Sequence, residues 1–242
     1  MSSPVPRRAV PALLLFDVDG TLLDLAPVRA AFCAVVPGPD NLRLWCTTLL
    51  HYATSLGPAS RGAPLPETGV DVLRLLADGR GIALDEEQAA AALHPGTRLP
   101  PYPDAIPALE RLRAAGFRLA ALSNSTRASL RAQLAYSGLA PLFDAAFSAD
   151  DAGVGKPHPD VYLHAVRSMD TSPGAAMLVA SRGWDAAGAA WAGLQSAFIR
   201  RPGQGAFLLG PAPDFVLPDL HALADVLDHA GTSGPEDHHP SG

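Results

Sequence analysis

From residue 101 onward, short apolar runs alternate with amphipathic stretches, and no other feature constrains the fold of these 242 residues as tightly. The runs at 117–122, 145–148, 176–180 and 196–199 have the length of buried strands and are too short for helices. Between and after them, 106–115, 126–137, 159–169, 184–192 and 217–229 carry helical spacing. Gly116, Gly138 and Gly193 stand where a helix would stop. A further apolar run, 12–16, opens the pattern. Strands that alternate with helices at this spacing predict an α/β fold, a parallel sheet covered on both faces, with ligands bound beyond the carboxyl ends of its strands. Residues 25–100 break the alternation. Helical texture at 30–36, 41–56, 70–77 and 86–93, joined by Gly- and Pro-rich loops, predicts a helical insertion after the first strand. The expected organisation is a core of 10–24 and 101–230, an insertion of 25–100, and disordered tails at 1–9 and 231–242. His238 and His239, in the second tail, lack the further ligands a metal site needs.

Composition narrows the class. Hydrophobic residues make up 48% and charged ones 17%, enough apolar material for a real core. The formal charge of −6 argues against binding nucleic acid, which calls for a basic face. No stretch approaches the ~18 apolar residues of a membrane span. The apolar run after Arg7 and Arg8 is too short for a signal peptide. The two cysteines, Cys33 and Cys46, form no framework and read as small buried hydrophobes in a reducing cytoplasm. Dimerisation through helices is compatible with the sequence.

Four polar clusters follow the apolar runs. The first, Asp17-Val18-Asp19-Gly20-Thr21, sets two carboxylates on the same side of a strand end. At ~4 Å such charges repel by about 4 kcal/mol at an effective dielectric of 20, so they require a cation, a proton, or divergent orientations. Gly20 lets the chain leave the strand abruptly. The second cluster, Ser123-Asn124-Ser125-Thr126, offers hydroxyls and amides to an anion, or simply caps the next helix. In the third, glycine and proline flank Lys156, either aiming one positive charge into a pocket or leaving it in a solvated loop. In the fourth, Ser181-Arg182-Gly183-Trp184-Asp185, Asp185 opens a helix, where a carboxylate also suits the helix dipole. Trp184 either packs or binds. Arg200 and Arg201, after the last of these strands, read as surface charges or as an anion-attracting rim.

Taken in order, Asp-x-Asp-Gly-Thr, Ser-Asn, Gly-Lys-Pro and the helix-opening Asp resemble the haloacid dehalogenase superfamily over roughly 13–201. The resemblance implies a Rossmann-like core with a helical cap inserted after the first motif. It also implies that Asp17 is a nucleophile forming a covalent ester, that Ser123 orients the substrate and that Lys156 stabilises developing negative charge. Two branches differ in what Asp17 attacks. In Mg²⁺-dependent phosphatases the second aspartate, here Asp19, protonates the leaving alcohol, and the metal lies among Asp17, the Asp19 carbonyl and Asp185. In 2-haloacid dehalogenases no cofactor is needed, and because a halide leaves without a proton the second aspartate is usually replaced, a pattern from which Asp19 departs. The first motif is similar to the phosphatases. The fourth motif, with Ser181 in place of an aspartate, is similar to the type II 2-haloacid dehalogenases, as are 119–125 and the Leu44-Trp45 region. That branch carries an arginine where this chain has Cys46, and an asparagine where it has Arg182. Arg43, one helical turn before Cys46, is the expected stand-in.

The expectation is therefore a hydrolase that cleaves the carbon–halogen bond of a small anionic 2-haloacid. Asp17, Asp19, Ser123, Lys156 and Asp185 are the expected catalytic residues, and Thr21, Asn124, Arg43, Ser181 and Trp184 the expected substrate contacts. A Mg²⁺-dependent small-molecule phosphatase is the alternative, followed by a catalytically silent binding module.

Overall fold

The computed structural model describes residues 9–38, 40–56 and 65–232. Most of both expected tails, with His238 and His239, lies outside the described residues.

Six strands form one sheet: β1 (Leu13–Asp17), β2 (Arg118–Ser123), β3 (Ala145–Ser148), β4 (Ala176–Ala180), β5 (Gln195–Ile199) and β6 (Phe215–Leu217). Their order is β3-β2-β1-β4-β5-β6, and every pairing is parallel. Every residue of β1, β4 and β5 is buried, which explains why these strands read as continuous apolar runs. Along β1, Leu14 and Phe16 point into one apolar cluster and Leu13 and Leu15 into another. The first cluster takes Leu109 and Leu112 from α5 (Ala105–Ala114) and Leu223 and Leu227 from α10 (Leu220–Thr232). The second takes Val161, Tyr162 and Val166 from α8 (Pro159–Ser168) and Ala189 from α9 (Gly183–Trp191). Helices therefore cover both faces. The chain runs outward from β1 to β3, then returns to place β4 on the other side of β1. The β1/β4 boundary is thus the point where strand order reverses, and a crevice opens there beyond the strand ends.

Between β1 and β2 come α1 (Ala26–Val35), α2 (Asn41–Leu56), α3 (Leu65–Asp78) and α4 (Glu86–Leu93), followed by a 3-10 turn at His94–Thr97. Their buried residues Val28, Phe32, Leu42, Leu73 and Ala89 belong to the same apolar cluster as Leu14 and Phe16. The outgoing and returning chains are stitched together where they meet. Asp24 N donates to Pro100 O at 2.9 Å, and Tyr102 N to Leu22 O at 2.8 Å. Within the segment, the Trp45 ring meets Phe32 edge-on at 5.3 Å and its Nε1 donates to Gly69 O at 2.8 Å.

At two of the boundaries that differ from the sequence reading the cause is local. The stretch from 217 is not all helix: Phe215–Leu217 pairs with β5, and α10 begins only at Leu220, where the Asp219 carboxylate accepts from Ala222 N. Helix α1 starts at Ala26, earlier than its apolar spacing indicates, because Asp24 accepts from Ala26 N and Pro27 suits a first turn. No helix among the described residues is long and apolar enough to cross a membrane.

Candidate active site

Asp17 ends β1 at the reversal point, and Gly20, with φ +82°, turns the chain back beneath it. The Asp17 carboxylate is gripped from two sides. Lys156 Nζ donates to Oδ1 at 2.8 Å, and Thr21 Oγ1 donates to Oδ2 at 2.6 Å. Lys156 Nζ also donates to Asp185 Oδ2 at 2.7 Å, so one buried ammonium bridges two buried carboxylates. Tyr162 Oη donates to the other Asp185 oxygen at 2.5 Å. Burial alone would lower the Lys156 pKa, but the charges of Asp17 and Asp185 hold it above its ordinary value, so it stays charged. Burial raises Asp185, and the adjacent Lys156 partly offsets that. Burial followed by the Asp185 charge holds the Tyr162 phenol well above its usual range, and it remains a donor.

The loop that carries Lys156 is itself fixed. Asn124 Oδ1 accepts from Lys156 N at 2.7 Å, and Asn124 Nδ2 donates to Lys156 O at 3.1 Å. Asn124 thus binds the lysine's backbone. Space for Tyr162 comes from Gly188, one turn after Asp185: a Cβ there would stand 2.6 Å from the phenol oxygen.

The two aspartates of the first motif avoid each other by divergence. Asp19 Oδ1 accepts from Gln133 Nε2 at 2.8 Å and Oδ2 accepts from Ser125 Oγ at 2.9 Å, both reaching it from in and around α6 (Arg127–Tyr136). Ser123 Oγ lies 3.5 Å from the same Oδ2. Gln133 Nε2 also donates to Gly96 O in the 3-10 turn, joining Asp19 to the helical segment. Burial, then the Asp17 charge, raises the Asp19 pKa; Ser125 and Arg182 pull against that rise.

A family model of haloacid dehalogenase-like hydrolases matches residues 11–193. The chain belongs to this family. Among its relatives, an (S)-2-haloacid dehalogenase of Pseudomonas sp. (strain YL) is 29% identical over 219 residues, covering 90% of this chain and 94% of that protein. Haloacetate dehalogenase H-2 of Moraxella sp. (strain B) is 31% identical, covering 88% and 96%. The L-2-haloacid dehalogenase of Xanthobacter autotrophicus, solved with chloropropionic acid covalently bound, superposes with a TM-score of 0.82 at 28% identity, covering 90% of this chain and 98% of that one. The fold is therefore that of haloacid dehalogenase-like hydrolases, a parallel α/β core, and the protein is a hydrolase of that type.

Within this family frame, the structure brings Asp17, Asp19, Thr21, Ser123, Asn124, Lys156, Ser181 and Asp185 into one cluster. Thr21 and Ser181 differ from their expected part as substrate contacts. Both are fully buried; Thr21 donates to Asp17, and Ser181 donates to Gly20 O and, through its backbone N–H, to Thr21 Oγ1. Trp184 is half-buried in the first turn of α9 and makes none of the hydrogen bonds that tie the cluster. Arg43 is not in the cluster. Its side chain is 69% exposed and pairs with Asp40 at 3.3 Å, because Leu42 and Trp45 take the inner side of α2. Cys46 does reach inward: it packs against the shared apolar cluster, within electrostatic range of Arg182.

Sequence reasoning missed three residues. Tyr162 and Gly188 lie on helices whose apolar pattern conceals them, although a buried tyrosine needs a partner for its hydroxyl. Arg201 is neither surface charge nor rim. It pairs with both Asp104 oxygens at 2.8 and 2.9 Å, and its Nε and Nη2 donate to Thr21 O at 3.1 and 2.9 Å, bracing the first motif from below.

The groups expected to hold Mg²⁺ are engaged by the protein's own cations. Lys156 takes an oxygen of both Asp17 and Asp185, and Arg182 Nη2 lies 3.4 Å from the Asp19 carbonyl. No cluster of three or more His, Cys, Asp or Glu with metal-binding geometry occurs among the described residues. All four carboxylate oxygens of Asp17 and Asp185 thus have protein donors, from Lys156, Thr21 and Tyr162.

Proposed function

We propose that the protein hydrolyses the carbon–halogen bond of small 2-haloacids of the S configuration, without a metal or other cofactor. The observation that carries this reading is the Lys156 ammonium bridging Asp17 and Asp185. It puts a fixed positive charge between the nucleophile and the carboxylate that activates water, and relatives bearing the dehalogenase name match over about nine-tenths of the chain.

In the first step an Asp17 carboxylate oxygen attacks C2 of the substrate from the side opposite the halogen. The carbon–halogen bond breaks and its electron pair leaves as halide, so no proton donor is needed. Thr21 and Lys156 hold the nucleophile in the attacking orientation. In the second step water attacks the acyl carbon of the Asp17 ester. Asp185, oriented by Lys156 and Tyr162, takes the water's proton, and Lys156 stabilises the oxyanion. Collapse expels the alkoxide, which takes the proton held by Asp185 to leave as the 2-hydroxyacid, and Asp17 is regenerated as a carboxylate by releasing its own proton to solvent. Ser123, beside Asp19 and at the end of β2, orients the substrate together with the amides that follow it. The helical segment 25–100 works as a cap that keeps bulk water from the site during the first step. Its unpaired cysteines suit a reducing cytoplasm.

Asp19 favours the second reading, a phosphatase, by its position in the first motif. Its oxygens, however, are committed to Ser125 and Gln133. The test is halide release from L-2-chloropropionate and phosphate release from p-nitrophenyl phosphate, each in Mg²⁺ and in EDTA, with Asp17→Asn as the blank and Asp19→Asn alongside. Halide release that survives EDTA, vanishes in Asp17→Asn and persists in Asp19→Asn is expected. Phosphate release that requires Mg²⁺ and Asp19, with no halide release, would overturn the proposal.

A further inference from the structure

We propose that Arg182 is the anion-binding residue of this site, gripping from the core side a carboxylate or halide that approaches or leaves Asp17. The inference rests on the dehalogenase reading above and concerns a residue that reading leaves unused. A 2-haloacid enters as an anion, and the reaction creates a second one. Three carboxyl groups, Asp17, Asp19 and Asp185, already crowd the site. A cation with unfilled donors is needed to admit another negative charge.

Lys156 has two of its three donors on carboxylates, at 2.7 and 2.8 Å, which leaves one for the oxyanion of the second step. Arg182 is differently placed. Its Nη2 lies over Gly20, 3.5 Å from where a Cβ would be, directly behind the turn that follows Asp17. Its one side-chain hydrogen bond among the described residues is to a neutral group, the Asp19 carbonyl at 3.4 Å. It forms no ion pair with a carboxylate among the described residues. A guanidinium presents five N–H donors, so most of its fork is uncommitted. The charges of Asp17, Asp19 and Asp185 all act on it.

Arg182 is the N-cap of α9, with no side-chain capping bond. Cap positions favour Ser, Thr, Asp or Asn, and a cation there opposes the positive end of the helix dipole. An arginine at this position gains nothing for the helix, whereas an anion held between its fork and the helix end would be favoured by both. Cys46 of α2 lies within electrostatic range of the fork, which puts Arg182 near the junction of the core with α2.

The test uses the Asp17→Asn protein, which can bind substrate without forming the ester. Binding of L-2-chloropropionate, of bromide and of propionate is measured by calorimetry, with Arg182 intact and as Arg182→Gln or Arg182→Lys. Thermal melting establishes that each variant is folded. Arg182→Gln should weaken 2-chloropropionate binding by roughly ten- to a hundredfold, the scale of one charge-assisted hydrogen bond, and Arg182→Lys by less. Matching loss of propionate binding identifies the grip as one on carboxylate; matching loss of bromide binding identifies it as one on halide. Unchanged binding of all three ligands in folded Arg182→Gln would overturn the inference while leaving the dehalogenase reading intact. No binding of 2-chloropropionate with Arg182 intact would overturn both.

Discussion

Asp185 illustrates how much a single side chain depends on its neighbours. Burial pushes its pKa up, which would leave a proton on a group that must accept one. Lys156 and the Tyr162 phenol pull it back toward the ionised form. Tyr162→Phe removes one of those donors while keeping the ring. The folded-state pKa of Asp185 then rises, and the carboxylate needed in the second step is lost at a higher pH. The acid limb of the turnover profile should therefore move to higher pH, with kcat reduced by about tenfold where ester hydrolysis limits. A profile that keeps its shape in Tyr162→Phe would separate the phenol from the chemistry. The first-motif aspartates show the same dependence. Their mutual repulsion is relieved by Lys156 on Asp17 and by hydrogen-bond partners that draw the two carboxylates apart, while burial and the Asp17 charge raise the Asp19 pKa.

At the scale of elements, the site is built where strands end and helices begin, and most of that was legible. The apolar runs at β1, β3, β4 and β5 marked strands because each is buried on both faces or short and bounded by turn residues. β6 was not legible: its Phe215 and Val216 lie at the sheet edge, and only pairing with β5 separates them from the helix that follows. Asp17, Lys156 and Asp185 were legible because charged residues at strand ends are conspicuous. Tyr162 and Gly188 were not, since each has the residue type and spacing of ordinary helix packing. Their partnership is testable. Gly188→Ala would drive a methyl group to 2.6 Å from the phenol oxygen and 2.8 Å from Pro157 Cβ. Overpacking of this kind costs about 1–3 kcal/mol. The variant should melt at lower temperature and lose turnover together with it, through displaced Tyr162. Equal stability and turnover would mean that α8 and α9 part without cost. Arg43 shows the limit of helical spacing: one turn from Cys46 was correct, but the inner side of α2 went to Leu42 and Trp45.

Across the whole molecule, the Asp104–Arg201 pair gathers distant parts of the chain under the site. Asp104 precedes α5, Arg201 follows β5, and together they hold Thr21 O and Leu220 N. Burial alone would raise the Asp104 pKa, but Arg201 and the Leu220 N–H hold it below the ordinary carboxylate value. The folded state thus binds this proton less readily than the unfolded state does. The stabilisation is present above the unfolded-state pKa and is lost as pH falls through the lower folded-state value. Asp104→Ala leaves Arg201 buried without its partner and should cost about 3 kcal/mol at neutral pH, with the deficit narrowing in strong acid. Denaturant melts across pH would show this, and a deficit independent of pH would assign the loss to packing instead. The shared apolar cluster of β1 and α1–α4 extends the same coupling to the helical segment between β1 and β2.

The most direct test of the central claim, an Asp17 ester cleaved at its acyl carbon, is a single turnover of 2-chloropropionate with enzyme in excess in ¹⁸O-labelled water, followed by mass spectrometry of the peptide containing Asp17. The account predicts ¹⁸O in the Asp17 carboxylate and none in the hydroxyacid formed in that first turnover. Label in the hydroxyacid, with Asp17 unlabelled, would mean that water attacks the substrate directly and that Asp17 is not the nucleophile.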